Sequence, residues 1–105
     1  MTRDPHRTVA ATVLAEYPDD AAAPGACYVP LGDGWGPESF CFACPGCQQF
    51  GHIRVADPKP SPSPSWKIEA GTRDDPTTLT LSPSIHCVGC CGWHGYLTAG
   101  VFRSC

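Results

Sequence analysis

Two cysteine clusters restrict what this chain can fold into more than any other feature of its sequence. "CFACPGC" (41–47) has three cysteines in seven positions, and "CVGCCGWHG" (87–95) has three more together with a histidine. Leu, Ile, Val and Phe make up only 18 of the 105 residues, so the hydrophobic core is thin. Small domains with little core usually depend on disulfides or a metal for stability. We therefore expect the cysteines to hold the fold together.

The spacing of the cysteines favours a metal. Cys44 and Cys47 flank Pro45-Gly46, a pair suited to the tight turn that lets two thiolates grip one tetrahedral ion. Cys91 and His94 repeat the two-residue gap later in the chain. Thiolates with one imidazole select zinc. The sequence thus predicts one structural zinc ion held by Cys44, Cys47, Cys91 and His94.

Other ligand choices remain open. Both clusters contain a further C-x-x-C pair and further histidines, so a second ion would also find enough ligands. The alternate ligands are Cys41, His52, His86, Cys87 and Cys90. A disulfide framework would require an oxidising compartment, and the N-terminus shows no convincing secretory signal. A host cytoplasm is the expected location, with a virion as the alternative.

Motifs for catalysis are missing from the sequence. It contains no H-E-x-x-H, no H-x-E ahead of a P-C-x-x-C, and no G-x-S-x-G. "LSPSI" (81–85) offers serines but no obvious base, and we interpret it as a strand that kinks at Pro83 and brings the second cysteine cluster to the first. A metal with four protein ligands leaves no position for a reactive water. The chain is therefore not expected to be an enzyme.

Short alternating segments predict a mostly β fold. "FGHIRVA" (50–56) and "TTLTLSPSI" (77–85) are typical of strands, and the first follows the Cys44–Cys47 turn as in a zinc knuckle. We expect a small antiparallel domain, zinc-knuckle-like or zinc-ribbon-like, over residues 25–105, with an exposed Pro-rich loop at 57–65. Residues 1–24 are expected to form an N-terminal arm that is flexible or makes a short helix.

The charges and hydropathy exclude two classes of partner. The net charge is −3, and the seven Lys and Arg residues form no cluster, which argues against nucleic-acid binding. No apolar run reaches the roughly 20 residues of a membrane span.

The order of these landmarks resembles an uncharacterised family of small Cys/His proteins. The segments that show this resemblance are "GACYV" (25–29), "FCFACPGC" (40–47), "TLSPSI" (80–85) and "CGWHGYLTAGV" (91–101). Members are widespread in bacteriophage genomes, and a related branch lies beside bacterial ubiquitin-like conjugation genes. The resemblance implies zinc binding at Cys44, Cys47, Cys91 and His94 and a phage origin, but supplies no activity. Members often have Asn-Gly or Asp-Gly at the final hairpin, where this chain has Ala99-Gly100, which argues against a type I′ turn here.

These observations predict a phage-encoded, zinc-stabilised module that binds a host or phage protein, for instance as an inhibitor of host functions. One alternative is a structural or accessory component of the virion. Another is a zinc enzyme or an accessory of a ubiquitin pathway, which would need an exchangeable water on the metal.

Overall fold

Ten β-strands account for the regular structure that the computed structural model describes, which covers residues 6–18, 22–29, 38–56, 65–87 and 90–105. They are β1 (Val9–Ala10), β2 (Thr12–Val13), β3 (Ala26–Tyr28), β4 (Ser39–Ala43), β5 (Phe50–Ala56), β6 (Trp66–Thr72), β7 (Asp75–Ser82), β8 (Ile85–His86), β9 (His94–Thr98) and β10 (Val101–Ser104). No helix occurs in these ranges, so the described residues contain no helix that could span a membrane. The prediction of a mostly β protein is confirmed. Most of the predicted Pro-rich loop, residues 57–64, lies outside the described residues.

The strands form two sheets. One has the order β1-β10-β9-β8, and the other has the order β2-β3-β4-β5-β6-β7. The prediction of an antiparallel zinc ribbon is too narrow, because β2 pairs with β3 and β5 pairs with β6 in parallel. The turn that contains Cys44 and Cys47 joins β4 to β5 and is therefore only one part of a larger β structure.

The core lies between the sheets, and large aromatic side chains form its centre together with aliphatic ones. Phe42 of the larger sheet stacks on Phe102 of the smaller one with ring centroids 5.3 Å apart. Trp93 meets Phe102 edge to face at 6.1 Å and is completely buried. Large rings therefore compensate for the small number of aliphatic residues, since each buries a large apolar area.

The N-terminal arm is not helical where it is described. Val9 pairs with Phe102 and Ala10 with Val101, so β1 adds an edge strand to the smaller sheet. The Trp93 indole N–H donates to the Arg7 carbonyl at 2.7 Å, which fixes the arm to the core. The prediction of a short helix was wrong because β-branched residues in this segment favour strands and an open edge at β10 supplied a partner.

The last hairpin has the turn that its sequence argued against. Ala99 and Gly100 link β9 to β10 with φ of 47° and 77°, so both residues adopt the left-handed conformation. A side chain at Gly100 would collide with the Thr77 carbonyl oxygen of the larger sheet. The Gly100 N–H donates to the Leu79 carbonyl at 3.0 Å, and the Ala99 N–H donates to the Thr80 hydroxyl at 2.9 Å. These tertiary contacts hold Ala99 in a conformation that its own preference disfavours.

Candidate active site and cysteine cluster

Four thiols meet where the two cysteine clusters approach each other. The sulfurs of Cys44, Cys47, Cys90 and Cys91 all lie within 4.8 Å of one another. Cys44 and Cys47 are buried, whereas Cys90 and Cys91 are half-buried. Three of the four predicted zinc ligands are thus together, and the alternate ligand Cys90 completes the group.

The first pair is positioned by the turn between β4 and β5. The Cys44 N–H donates to the Gln49 carbonyl at 2.9 Å, and the Gln48 N–H donates to the Cys44 carbonyl at 2.9 Å. Gln48 closes the turn with a φ of 68°. This compact turn directs Cys44 and Cys47 towards the same point, as the Pro45-Gly46 sequence indicates.

The second pair is positioned by the segment between β8 and β9. The Cys87 N–H donates to the Trp93 carbonyl at 2.7 Å, and the Gly92 N–H donates to the Cys87 carbonyl at 3.0 Å. These bonds hold Cys87 close to residues 92–93, and Cys90 and Cys91 face the first pair. The described residues of this segment, 87 and 90–93, are called the 87–93 loop hereafter.

The four sulfurs fit a tetrahedral metal. Zinc–sulfur bonds of about 2.3 Å in a tetrahedron place the sulfurs about 3.8 Å apart. The Cys44 and Cys91 sulfurs are 3.7 Å apart. The cluster can therefore hold one metal ion with little rearrangement, and four protein ligands would close its coordination sphere.

Burial sets the proton affinity of most thiols in the cluster. Burial raises the pKa of Cys44 and also that of Cys90. Burial likewise acts to raise the pKa of Cys47, but hydrogen bonds from the Gln49 backbone and from neighbouring thiols lower it to about 7. The Cys47 thiol is therefore the readiest of these three to lose its proton at neutral pH.

The remaining candidate ligands lie outside the group of four. Cys41 is buried in β4, and burial raises its pKa. Cys87 lies near Cys44, and burial raises its pKa to about 11. His52 is exposed on β5, opposite Cys41 in the strand register. His86 and His94 are exposed on β8 and β9, where their rings stack at 4.8 Å.

His94 has a different partner from the one predicted by spacing. Its Nε2 lies 2.8 Å from the Ser84 hydroxyl oxygen. The alternation of β9 places His94 on the outer face of the smaller sheet, while the neighbouring Trp93 fills the core. Gly95 can have no side chain, because the Trp93 ring and the Arg103 carbonyl occupy its inner side. His94 is consequently held on the face where Ser84 lies.

The backbone of Ser84 is also held in place. Its carbonyl accepts a hydrogen bond of 3.2 Å from the Trp66 indole N–H. Ser84 follows Pro83, the first residue after the end of β7, and precedes the short edge strand β8. The register pairs His86 with His94, so Ser84 lies diagonally across from His94.

A cleft lies near this pair and is lined by residues that contact it, although Ser84 and His94 are not themselves part of its wall. It has a volume of about 190 Å³, and Trp66, Ile85 and His86 contribute to its wall. Trp66 binds the Ser84 carbonyl and His86 stacks on His94, so the cleft and the Ser84–His94 pair share their supporting residues. A serine hydroxyl bonded to an imidazole beside a cleft is the arrangement of a nucleophile and its general base.

One protein-family comparison matches nearly the whole chain. The model of a family described as "Bacterial ubiquitination-like system serine protease (BubE)" matches residues 13–105. The chain belongs to the BubE family. No curated protein and no solved structure shows a significant match to this BubE-family chain.

Membership in BubE corrects the expectation that the chain is not an enzyme, because the family is named for a serine protease. The description also agrees with the predicted kinship to proteins of bacterial ubiquitin-like conjugation. It gives no support to a phage-encoded binding module or to a virion component.

The Ser84–His94 pair was missed because its halves were judged separately. "LSPSI" alone contains no base, and the spacing of His94 from Cys91 predicts a metal ligand. One signal was present: "HGYLT" alternates as a strand, which places His94, Tyr96 and Thr98 together on the exposed face.

Proposed function

We propose that this protein is a serine peptidase in which Ser84 is the nucleophile and His94 is the general base. The distance of 2.8 Å between Ser84 Oγ and His94 Nε2, in a chain of a family named for a serine protease, carries this proposal. For Ser84 to donate its hydrogen bond, neutral His94 carries its proton on Nδ1.

The reaction would proceed by acyl transfer. Ser84 Oγ attacks the carbonyl carbon of the scissile bond while His94 Nε2 accepts the hydroxyl proton. The tetrahedral intermediate collapses, the carbon–nitrogen bond breaks, and His94 gives the proton to the departing amine. Water then attacks the Ser84 ester with His94 again as base, which releases the acid product and restores the hydroxyl.

His86 takes a positioning role in this proposal. Among the described residues, no carboxylate bonds to the His94 ring, and the ring of His86 stacks on it instead. The stacked rings are inclined by 28°, so His86 restricts the rotation of His94. The site is thus a Ser–His pair oriented by ring packing.

A protein of a bacterial ubiquitination-like system is the proposed substrate, because the family description names that system. The predicted protein partner would then be the substrate. The cleft is too small for a folded protein, so a flexible segment of the substrate would enter it.

Zinc is the proposed metal of the cysteine cluster, with Cys44, Cys47, Cys90 and Cys91 as ligands. Thiolates favour zinc over harder ions, and the spacing of 3.7 Å between Cys44 and Cys91 sulfurs agrees with it. The ion would stabilise the 87–93 loop, whose two ends carry Ser84 through β8 and His94 through β9. The metal would therefore help to orient the catalytic pair.

A fluorophosphonate probe tests the nucleophile directly. An activated serine displaces fluoride from the probe and forms a stable phosphonate ester. We expect Ser84 to be labelled in the wild type, and Ser84→Ala and His94→Ala to reduce labelling about a thousandfold or more. Ser82→Ala is the matched control, since Ser82 bonds to Glu69 on the neighbouring strand. Equal labelling of Ser84→Ala and wild type would refute the assignment.

Cleavage provides the second readout. The purified protein is incubated with a ubiquitin-like protein of a bacterial ubiquitination-like system, and the products are weighed by mass spectrometry. Cleavage by the wild type and by Ser82→Ala, but not by Ser84→Ala, supports the proposal.

A further inference from the structure

The cleft near the Ser84–His94 pair is mainly apolar. Its wall includes Phe42, Phe50, Ile53, Trp66 and Ile85, together with Gly51, and Cys44 and Cys90 of the cysteine cluster also line it. A volume of about 190 Å³ is below the usual size of a pocket for a whole small molecule. It is the size of a recess for one large side chain.

Gly51 keeps this recess open. In the register of β4 and β5, Gly51 lies opposite Phe42 and shares a face with Ile53, and both of these residues line the cleft. Among the described residues other than its chain neighbours, none has an atom within 4 Å of the position that a Gly51 Cβ would take. The missing side chain therefore leaves the space that a ligand side chain would fill.

The edge of β8 offers backbone hydrogen bonds next to this recess. Cys87 bonds to Trp93 of the neighbouring segment, so alternation directs the N–H and C=O of His86 away from β9. Among the strands of the described residues, none pairs with β8 on that side. An extended chain can add to such an edge as a further strand.

We propose that the substrate is an extended peptide segment that pairs with the edge of β8 at His86 and places one large apolar side chain in the cleft beside Gly51. Successive side chains of an added strand point to opposite faces. One face of the segment meets the recess, while the backbone runs past Ser84. This inference deepens the proposed peptidase function and rests on it.

A pool of synthetic peptides of 14 residues and mixed sequence tests the recess. Cleaved bonds are identified by mass spectrometry, and the nucleophile is counted by the fluorophosphonate probe. We expect a large apolar residue at one fixed position relative to the cleaved bonds. Gly51→Phe fills the recess and should lower cleavage of those peptides at least tenfold, while Gly51→Ala should change it less than threefold.

Thr98→Phe is the matched control. Thr98 is an exposed strand residue that does not line the cleft, so the added ring should leave cleavage unchanged. Thr98→Phe should also keep the wild-type rate of fluorophosphonate labelling, and cleavage by each Gly51 variant is expressed per labelled Ser84.

A scan of a cleaved peptide by single N-methylation tests the added strand. Removing the one N–H that donates to the His86 carbonyl should lower kcat/KM about tenfold at a single position near the cleaved bond, with little effect at the positions on either side. Equal tolerance at every position overturns strand addition.

The outcomes separate the two proposals. If Ser84 is labelled but peptides are cleaved without an apolar preference, or Gly51→Phe behaves like wild type, the recess is refuted and the peptidase stands. Labelling without cleavage of any peptide overturns the extended-segment substrate. Absence of both labelling and cleavage overturns the peptidase and this inference with it.

Discussion

Cys91 and His94 are three residues apart, yet they belong to different sites. The Cys91 sulfur lies 3.7 Å from the Cys44 sulfur, whereas His94 Nε2 lies 2.8 Å from the Ser84 hydroxyl. Only residues 92 and 93 separate the cysteine cluster from the start of β9, where His94 lies on the outer face. Cys90 and Cys91 therefore lie in the connection between β8, which follows Ser84, and β9, which begins with His94.

Metal content distinguishes a four-cysteine site from a Cys₃His site. We expect one zinc per chain in protein purified without chelator, measured by elemental mass spectrometry. Cys90→Ser and Cys91→Ser should each remove a ligand and lower zinc affinity by a hundredfold or more. His94→Ala should keep the full zinc content, and loss of zinc in that variant would instead support the imidazole as a ligand.

Chelation should inactivate the peptidase through the 87–93 loop. Removal of the ion frees Cys90 and Cys91 from Cys44 and Cys47, so the Ser84–His94 distance is no longer fixed. We expect fluorophosphonate labelling to fall at least tenfold with chelator and to return with added zinc. Unchanged labelling of protein shown to be metal-free would contradict this coupling.

Zinc affinity should fall as the pH falls. Burial raises the pKa of Cys44 and of Cys90, so both thiols hold protons at neutral pH until the metal displaces them. Each displaced proton changes the apparent affinity by about tenfold per pH unit, so these two thiols predict about a hundredfold per unit between pH 6 and 7. Competition with a chromophoric chelator measures it, and an affinity independent of pH would refute it.

His86→Ala should weaken catalysis without removing a reacting group. Loss of the ring that stacks on His94 frees that side chain to rotate, and we expect kcat/KM for a cleaved peptide to fall about 3- to 10-fold. His86→Phe keeps a ring at this position and should recover most of the activity. Failure of Phe to recover more activity than Ala would show that stacking is not the role of His86.

The glycines offer a matched test of the fold. Gly100→Ala places a methyl group against the Thr77 carbonyl at a φ of 77°, so it should lower the free energy of unfolding by about 2 kcal/mol or more. Gly51→Ala meets no atom and should change it by less than about 1 kcal/mol. Thermal unfolding of both variants provides the comparison.

Local patterns predicted the parts of the structure that depend on local chemistry. Pro45-Gly46 predicted the tight turn that joins Cys44 to Cys47, and alternation predicted β5. The β1 strand was not predictable in this way, because its partner β10 is distant in sequence and a strand of two residues has no periodicity. The Ala99-Gly100 turn was judged by the preference of Ala alone, whereas the larger sheet determines its conformation.

The candidate site was harder to predict than the fold. Spacing alone identified Cys44, Cys47 and Cys91, but it could not distinguish Cys90 from His94 as the remaining member of the group. The decision depends on where β9 begins, since a strand that starts at His94 directs that side chain outwards. The proximity of Ser84 to His94 could not be predicted from the sequence, because it depends on the register in which β8 pairs with β9.

The pairing of Val9 with Phe102 has a consequence for biosynthesis. More than ninety residues separate these partners, and β10 lies between β1 and β9 in the sheet. A nascent chain on the ribosome cannot complete this sheet until β10 has emerged, although Cys44 and Cys47 emerge much earlier. Such long-range closure is slow and leaves apolar strands uncovered in the interval. Early capture of zinc by the first thiol pair would give the growing chain a fixed point before its last strands arrive.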